Sequence, residues 1–299
     1  MKIKTIKKVL TKKLSEWLLT IDDEKLRKDV RENLLVSGGS IASMFLREDI
    51  NDFDVYIKDM DVLIRLAEHY CPGKVLDGRK RDEYVEERGG ESYENSGIEN
   101  LGIEMVRRKN LWPDQVKLDI DSVGVLIPLA ETENAEEEKK YAPIFLSQNA
   151  ISLTDDIQIV LRFNGDAEKI HSTFDFVHAT NYFTFEDGLV TNVEALQCLL
   201  TKELRYQGSL YPLTSIIRMK KFTLRGWSIN AGEILKIMFQ ISELDLKDPL
   251  VLEEQLIGVD IAYFAKLIEI LRDVKREKLT SSYINTVIDR VFNEYEEEI

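Results

Sequence analysis

The stretch Leu34–Lys58, LLVSGGSIASMFLREDINDFDVYIK, leaves the chain few ways to fold. Leu34-Leu35-Val36 is an apolar run of the length of a short buried strand, and Ser37-Gly38-Gly39-Ser40 breaks it. Ile41–Leu46 then reads as one helix, with a serine at its N-cap. From Asp52 to Ile57 the alternation is strict, with Phe53, Val55 and Ile57 on one face of a strand and Asp52, Asp54 and Tyr56 on the other. Two carboxylates on one strand face repel each other and resist burial, and a divalent cation shared by their oxygens resolves both problems. The glycines and the start of the next helix place unhindered backbone N–H groups beside them, a cradle for phosphate.

Gly38-Gly39-Ser40 followed by Asp52-Phe53-Asp54 resembles the signature of the DNA polymerase β-like nucleotidyltransferase superfamily. Twelve residues, Ser40 to Asn51, separate the glycine pair from Asp52, a gap in the family's usual range. The resemblance implies an α+β fold: a nucleotidyltransferase-type mixed β-sheet domain flanked by helices, followed by an all-helical C-terminal domain. It implies Asp52 and Asp54 as catalytic metal ligands for two Mg²⁺ (or Mn²⁺) ions, and Gly38, Gly39 and Ser40 as binders of the nucleotide phosphates. The family's chemistry also needs a third carboxylate on a neighbouring strand. Asp175, alone in a strand expected over Phe174–Tyr182, is the first choice, because an ionised acid without a partner is costly there. Asp119 in the second acidic pair, Asp119 and Asp121, is the rival.

Composition bounds the function. At 299 residues the chain has room for two domains, and no apolar run reaches the ~20 residues of a membrane span. The lysine-rich start, MKIKTIKKVLTKKL, lacks the apolar core of a secretory signal. Cys71 and Cys198 are far apart and in no metal spacing, which points to a reducing cytoplasm. His69, His171 and His178 form no zinc pattern. A net charge of −14 argues against a nonspecific nucleic-acid coat, yet residues 2–13 hold six lysines and no acid. Lys202–Arg225 adds six basic residues against Glu203 alone.

Taken in order, Lys2–Leu19 and Asp22–Asn33 read as helices, with the lysines of the first on its wet face. Met60–Tyr70 is another helix, and Lys74–Leu76, Ile98–Arg107, Gln115–Ile127 and Ile157–Phe163 are strand-like, with one helical turn at Ala167–His171. Charged insertions fall near 77–97 and 131–140. These place a catalytic domain at 1–190 and a helical domain at 191–299, with helices near Val193–Leu204, Leu213–Leu224, Ala231–Leu244, Leu250–Leu256, Ile261–Arg276 and Thr280–Glu297. Leu224–Ala231, LRGWSINA, is partly similar to the Arg-Arg-Asp-Phe-Thr-Ile-Asn-Ala element of tRNA nucleotidyltransferases. Leu224 and Gly226 depart from it, and Ala42 and Ser43 stand where that branch has Arg-Asp, so the superfamily is taken and the branch is not. Arg218, Lys221 and Arg225 are candidate contacts for nucleotide or acceptor phosphate.

The expected activity is transfer of a nucleoside monophosphate from an NTP, such as ATP, to a hydroxyl acceptor, RNA first. Nucleotidylation of a protein or small molecule, and a catalytically silent binding module of the same fold, stay open.

Overall fold

The computed structural model describes residues 1–71, 75–77, 103–106, 115–118, 120, 124–127, 140–256, 267, 270–271 and 274–296. The insertions expected near 77–97 and 131–140 lie almost wholly outside the described residues, as do Asp119 and Asp121. The chain divides into two compact units, one of residues 1–171 and 178–200, the other of 172–177 and 201–299. The fold is α+β.

The first unit opens with α1 (Ile3–Leu18) and α2 (Glu24–Asn33), then β1 (Leu34–Ser37), α3 (Gly39–Leu46), β2 (Phe53–Ile57) and α4 (Met60–Tyr70). Side-chain caps set two of these starts. Asp23 accepts from the N–H groups of Lys25 and Leu26 at α2, and Asp59 accepts from that of Val62 at α4. Strands β3 (Val75–Asp77), β4 (Ile103–Val106) and β5 (Gln115–Leu118) form a small sheet. Then come β6 (Val125–Leu126), β7 (Pro143–Ser147), β8 (Ala150–Leu153), β9 (Ile157–Val160), the single turn α5 (Ala167–His171), β10 (Tyr182–Thr184), β11 (Gly188–Val190) and α6 (Val193–Thr201).

The large sheet has eight strands in the order β11-β10-β1-β2-β9-β8-β7-β6. Only β2 and β9 pair in parallel; the other neighbours are antiparallel. Its two faces differ in chemistry, because each strand alternates and the registers align the alternations. Leu34, Val36, Phe53, Val55, Ile57, Ile157, Ile159, Ile151, Leu153, Leu146 and Phe183 share the buried core with Ile6, Leu10, Leu14 and Trp17 of α1. Leu26 and Val30 of α2 and Leu63 and Leu66 of α4 complete that layer. On the opposite face the register lines up Tyr182, Ser37, Asp54, Gln158 and Ser152 across five adjacent strands. A period of two thus separates an oily layer from a polar row, and the acidic strand belongs to both.

The second unit holds β12 (Glu203–Leu204), α7 (Pro212–Leu224), β13 (Ser228–Ile229), α8 (Ala231–Ser242), α9 (Pro249–Gln255) and α10 (Ser281–Glu296). Among its described residues, strand pairing is confined to the isolated bridge Phe176↔Tyr206 and the parallel pair Glu203↔Ser228 and Leu204↔Ile229, where helix is expected as far as Leu204. Leu252, Leu256, Leu271, Leu279, Val287 and Val291 form one core there. Phe176, Tyr206, Phe222 and Trp227 stack edge to face nearby within the same unit. Among the described residues no helix is long and apolar enough to cross a membrane.

Candidate functional site

The site is built where β1 runs into α3. Gly38 has φ 94° and ψ −149°, a conformation that residues with a Cβ reach only under strain. Its N–H donates to the Ala179 carbonyl at 3.1 Å. A Cβ added at Gly38 would sit 3.1 Å from Asp54 Oδ2, so the turn and the carboxylate lie side by side with no room for a side chain between them. At Gly39 a Cβ would meet nothing within 4 Å. Helix α3 begins at Gly39, two residues earlier than the pattern suggests, and Gly38 rather than Ser40 is its N-cap, with no side-chain capping bond. The first N–H groups of α3 therefore have no intrahelical acceptor. Ser40 is buried inside this first turn, and its hydroxyl makes no hydrogen bond among the described residues.

Behind the turn, Ser37 anchors the loop. Its Oγ lies 2.9 Å from the Asn181 carbonyl, 3.2 Å from that of Ala179 and 2.9 Å from His171 Nε2. A hydroxyl has one proton; Ser37 gives it to a carbonyl and accepts from His171 Nε2–H. Burial holds the His171 pKa down at about 4, so the ring is neutral at pH 7. Neither Ser37 nor His171 belonged to the expected site. Both are legible only once β1 and β10 are known to pair, since 134 residues separate them.

Asp52 is exposed just before β2, and Asp54 is half-buried within it. Two oxygen-rich side chains at alternate positions suit a hard cation such as Mg²⁺ or Mn²⁺, which is typically held by one or two carboxylates plus substrate phosphates. Among the described residues no group of three or more His, Cys, Asp and Glu side chains is placed to hold a metal ion. On the neighbouring strand Gln158, an amide, stands in register with Asp54, and its Nε2 donates to Ser152 Oγ at 3.3 Å.

Asp175 is not on a strand. Residues 177–179 form a 3₁₀ turn, and of the strand expected over Phe174–Tyr182 only Tyr182 is in a strand, as the first residue of β10. Nor does Asp175 stand alone. Its side chain is 2% exposed, one oxygen accepts from Arg218 at 2.5 Å, and the other accepts from Ser209 Oγ at 2.8 Å. The Arg218 guanidinium makes burial of the charge tolerable. That choice was hidden in the sequence because Arg218 lies 43 residues away. Arg218, Lys221 and Arg225 follow one another along α7 and its C-cap, at helical spacing; Lys221 and Arg225 are exposed, and the Arg225 guanidinium lies 5.9 Å from the Phe222 ring centre.

A model of the Gabija anti-defense 2 family matches residues 8–202, well over half of the chain. The Gabija anti-defense 2 protein of Bacillus phage SPbetaL7 is 20% identical over 246 residues, which is 81% of this chain and 46% of that protein. The chain thus spans about half the length of the curated relative it matches. Among solved structures, a Thermotoga maritima CCA-adding enzyme complexed with tRNA is similar, at 13% identity and a TM-score of 0.38 over 88% of this chain and 55% of that one. A CCA-adding enzyme in complex with CTP is 14% identical, with a TM-score of 0.38 over 95% and 60%. Likeness of that degree decides neither fold nor activity.

Proposed function

The chain belongs to the Gabija anti-defense 2 family, and from that premise we propose that it counters Gabija defence as a metal-dependent nucleotidyltransferase. One observation carries the reading: Gly38 is in a glycine-only conformation, and a Cβ there would lie 3.1 Å from Asp54 Oδ2. A phosphate cradle and a cation-binding carboxylate therefore meet at the end of one strand pair, which is what a metal–triphosphate complex requires.

In this reading the N–H groups at the start of α3 and the unpartnered Ser40 hydroxyl take the β and γ phosphates. Asp52 and Asp54 would hold Mg²⁺ or Mn²⁺, which supplies charge neutralisation on the phosphates and a lowered pKa for the attacking hydroxyl. The Ser37–His171 pair keeps the turn in place, and the neutral imidazole adds no positive charge behind it. Arg218, oriented by Asp175, would stand with Lys221 and Arg225 as phosphate contacts on α7. The products are a nucleotidylated acceptor and pyrophosphate; RNA is the first acceptor, ahead of a protein or a small molecule.

A second reading, a nucleotidyltransferase-like module that binds without transferring, draws support from the Asp175–Arg218 pair, since an arginine competes with a metal for that carboxylate. Phage plating separates anti-defence from the acidic site. On a host carrying Gabija defence, the wild-type chain restores plaques and Asp52→Asn/Asp54→Asn does not. Plaques restored equally by the double variant would overturn the assignment of the site.

A further inference from the structure

Helix α1 buries Ile6, Leu10, Leu14, Trp17 and Leu18 in the core, and its opposite side is built of lysine. Lys4, Lys8 and Lys12 recur every fourth residue and are exposed, which sets successive ammonium stems about 6 Å apart along one line. Lys2 and Lys7 flank that line and are exposed as well. Lys12 pairs with Glu16 at 3.7 Å, a contact open to solvent on both sides. Among the described residues, Lys2, Lys4, Lys7 and Lys8 have no carboxylate within ion-pair distance, in a chain of net charge −14.

This charge does not serve the helix. α2 starts on Asp23 and Glu24, α4 on Asp59 and Asp61, and α8 on Asn230 with Glu233, each complementing the positive end of the helix dipole. α1 reverses the arrangement. Lys2 is its N-cap and Lys4 lies in its first turn, which has no acid and no side-chain cap, while Glu16 sits near its negative end. A row of cations placed against the dipole and left without local counter-charge is relieved by an external polyanion.

We propose that the exposed lysine face of α1 is a docking surface for the phosphate backbone of duplex RNA. The choice of RNA rests on the reading of the chain as a transferase with an RNA acceptor. The choice of a duplex rests on the face itself: Trp17, the one aromatic residue of α1, is fully buried. No ring is presented on which unpaired bases could stack, so the contact is to backbone and shape.

The test uses the full chain, a fluorescent RNA hairpin, a DNA duplex of the same sequence and vesicles containing phosphatidylserine. Anisotropy is followed from low to high salt for wild type, K4Q/K8Q/K12Q and D52N/D54N. The wild type is expected to bind the hairpin, and the triple variant to lose about three units of the slope of log K against log salt, one per phosphate contact. The D52N/D54N variant is expected to bind as wild type, so loss of transfer and loss of docking are read separately. Because every altered lysine is exposed, thermal melts of the triple variant should match wild type; K2Q/K7Q provides a second, milder test expected to lower the slope. Unchanged affinity and slope in both lysine variants would overturn the proposal. So would equal or tighter binding of the DNA duplex or of the vesicles by the wild type.

Discussion

Replacing Gly38 and Gly39 one at a time by alanine should give opposite results, although the two glycines are neighbours in one motif. At Gly38 the backbone has φ 94°, and the new methyl would lie 3.1 Å from Asp54 Oδ2. Holding alanine in that region costs about 1–3 kcal/mol, and the carboxylate must move by a few tenths of an ångström besides. At Gly39 the backbone is helical and a methyl meets nothing within 4 Å, so alanine there contributes about 0.4–1 kcal/mol of stability by restricting the unfolded chain. Urea unfolding should therefore separate the two variants by roughly 1.5–4 kcal/mol. The same contact makes a functional statement. Gly38→Ala displaces Asp54 and should abolish plaque rescue even at temperatures where the variant remains folded, whereas Gly39→Ala should retain more of it. Equal stabilities for the two variants, or full rescue by Gly38→Ala, would refute the claim that the turn and the carboxylate act as one site.

Three further outcomes follow from named contacts. Arg218→Ala strands the buried Asp175 carboxylate on Ser209 alone; since Arg218 is 43% exposed, the loss should be about 1–3 kcal/mol in urea rather than that of a fully buried pair. His171, held at a pKa of about 4 in the fold against 6.5 in the unfolded chain, makes the unfolded state bind the extra proton between those values. Stability from this group is complete above pH 6.5 and is lost as pH falls toward 4; denaturation followed over that window should show a shallower pH dependence in His171→Gln. Tyr70→Phe removes the acceptor at 2.8 Å for the buried Trp17 Nε1–H and should cost about 1–3 kcal/mol, read by chemical denaturation.

The parts legible in the sequence were those governed by local rules. Alternation from Phe53 to Ile57 and the glycine break after Ser37 gave β1, β2 and the placement of the acidic pair, because period and backbone permission act within a few residues. The limits Met60–Tyr70 of α4 follow from its apolar spacing, and its start is fixed by the Asp59 cap. What local rules leave open depends on long-range partners. The acid in FDFVHATNY stands alone in the sequence, and only the fold brings Arg218 and Ser209 to it, from α7 and the segment before it. Gln158 faces Asp54 through the parallel pairing of β2 and β9, a register that the strand-like pattern of Ile157–Phe163 does not reveal. Serine is a good capping residue, which points to Ser40, but the close approach at Gly38 demands a residue without a Cβ two positions earlier in the turn. Local propensity is no guide to which strand will be a neighbour.

The most direct measurement incubates the purified chain with each α-labelled NTP, Mg²⁺ or Mn²⁺, total RNA and the proteins of a Gabija-carrying host, in parallel with Asp52→Asn/Asp54→Asn. The account expects metal-dependent label on an acceptor, RNA first, that disappears in the double variant together with plaque rescue. Rescue of plaques by a wild-type chain that transfers no label to RNA, protein or small molecule would contradict it, and would make the acidic strand part of a binding surface.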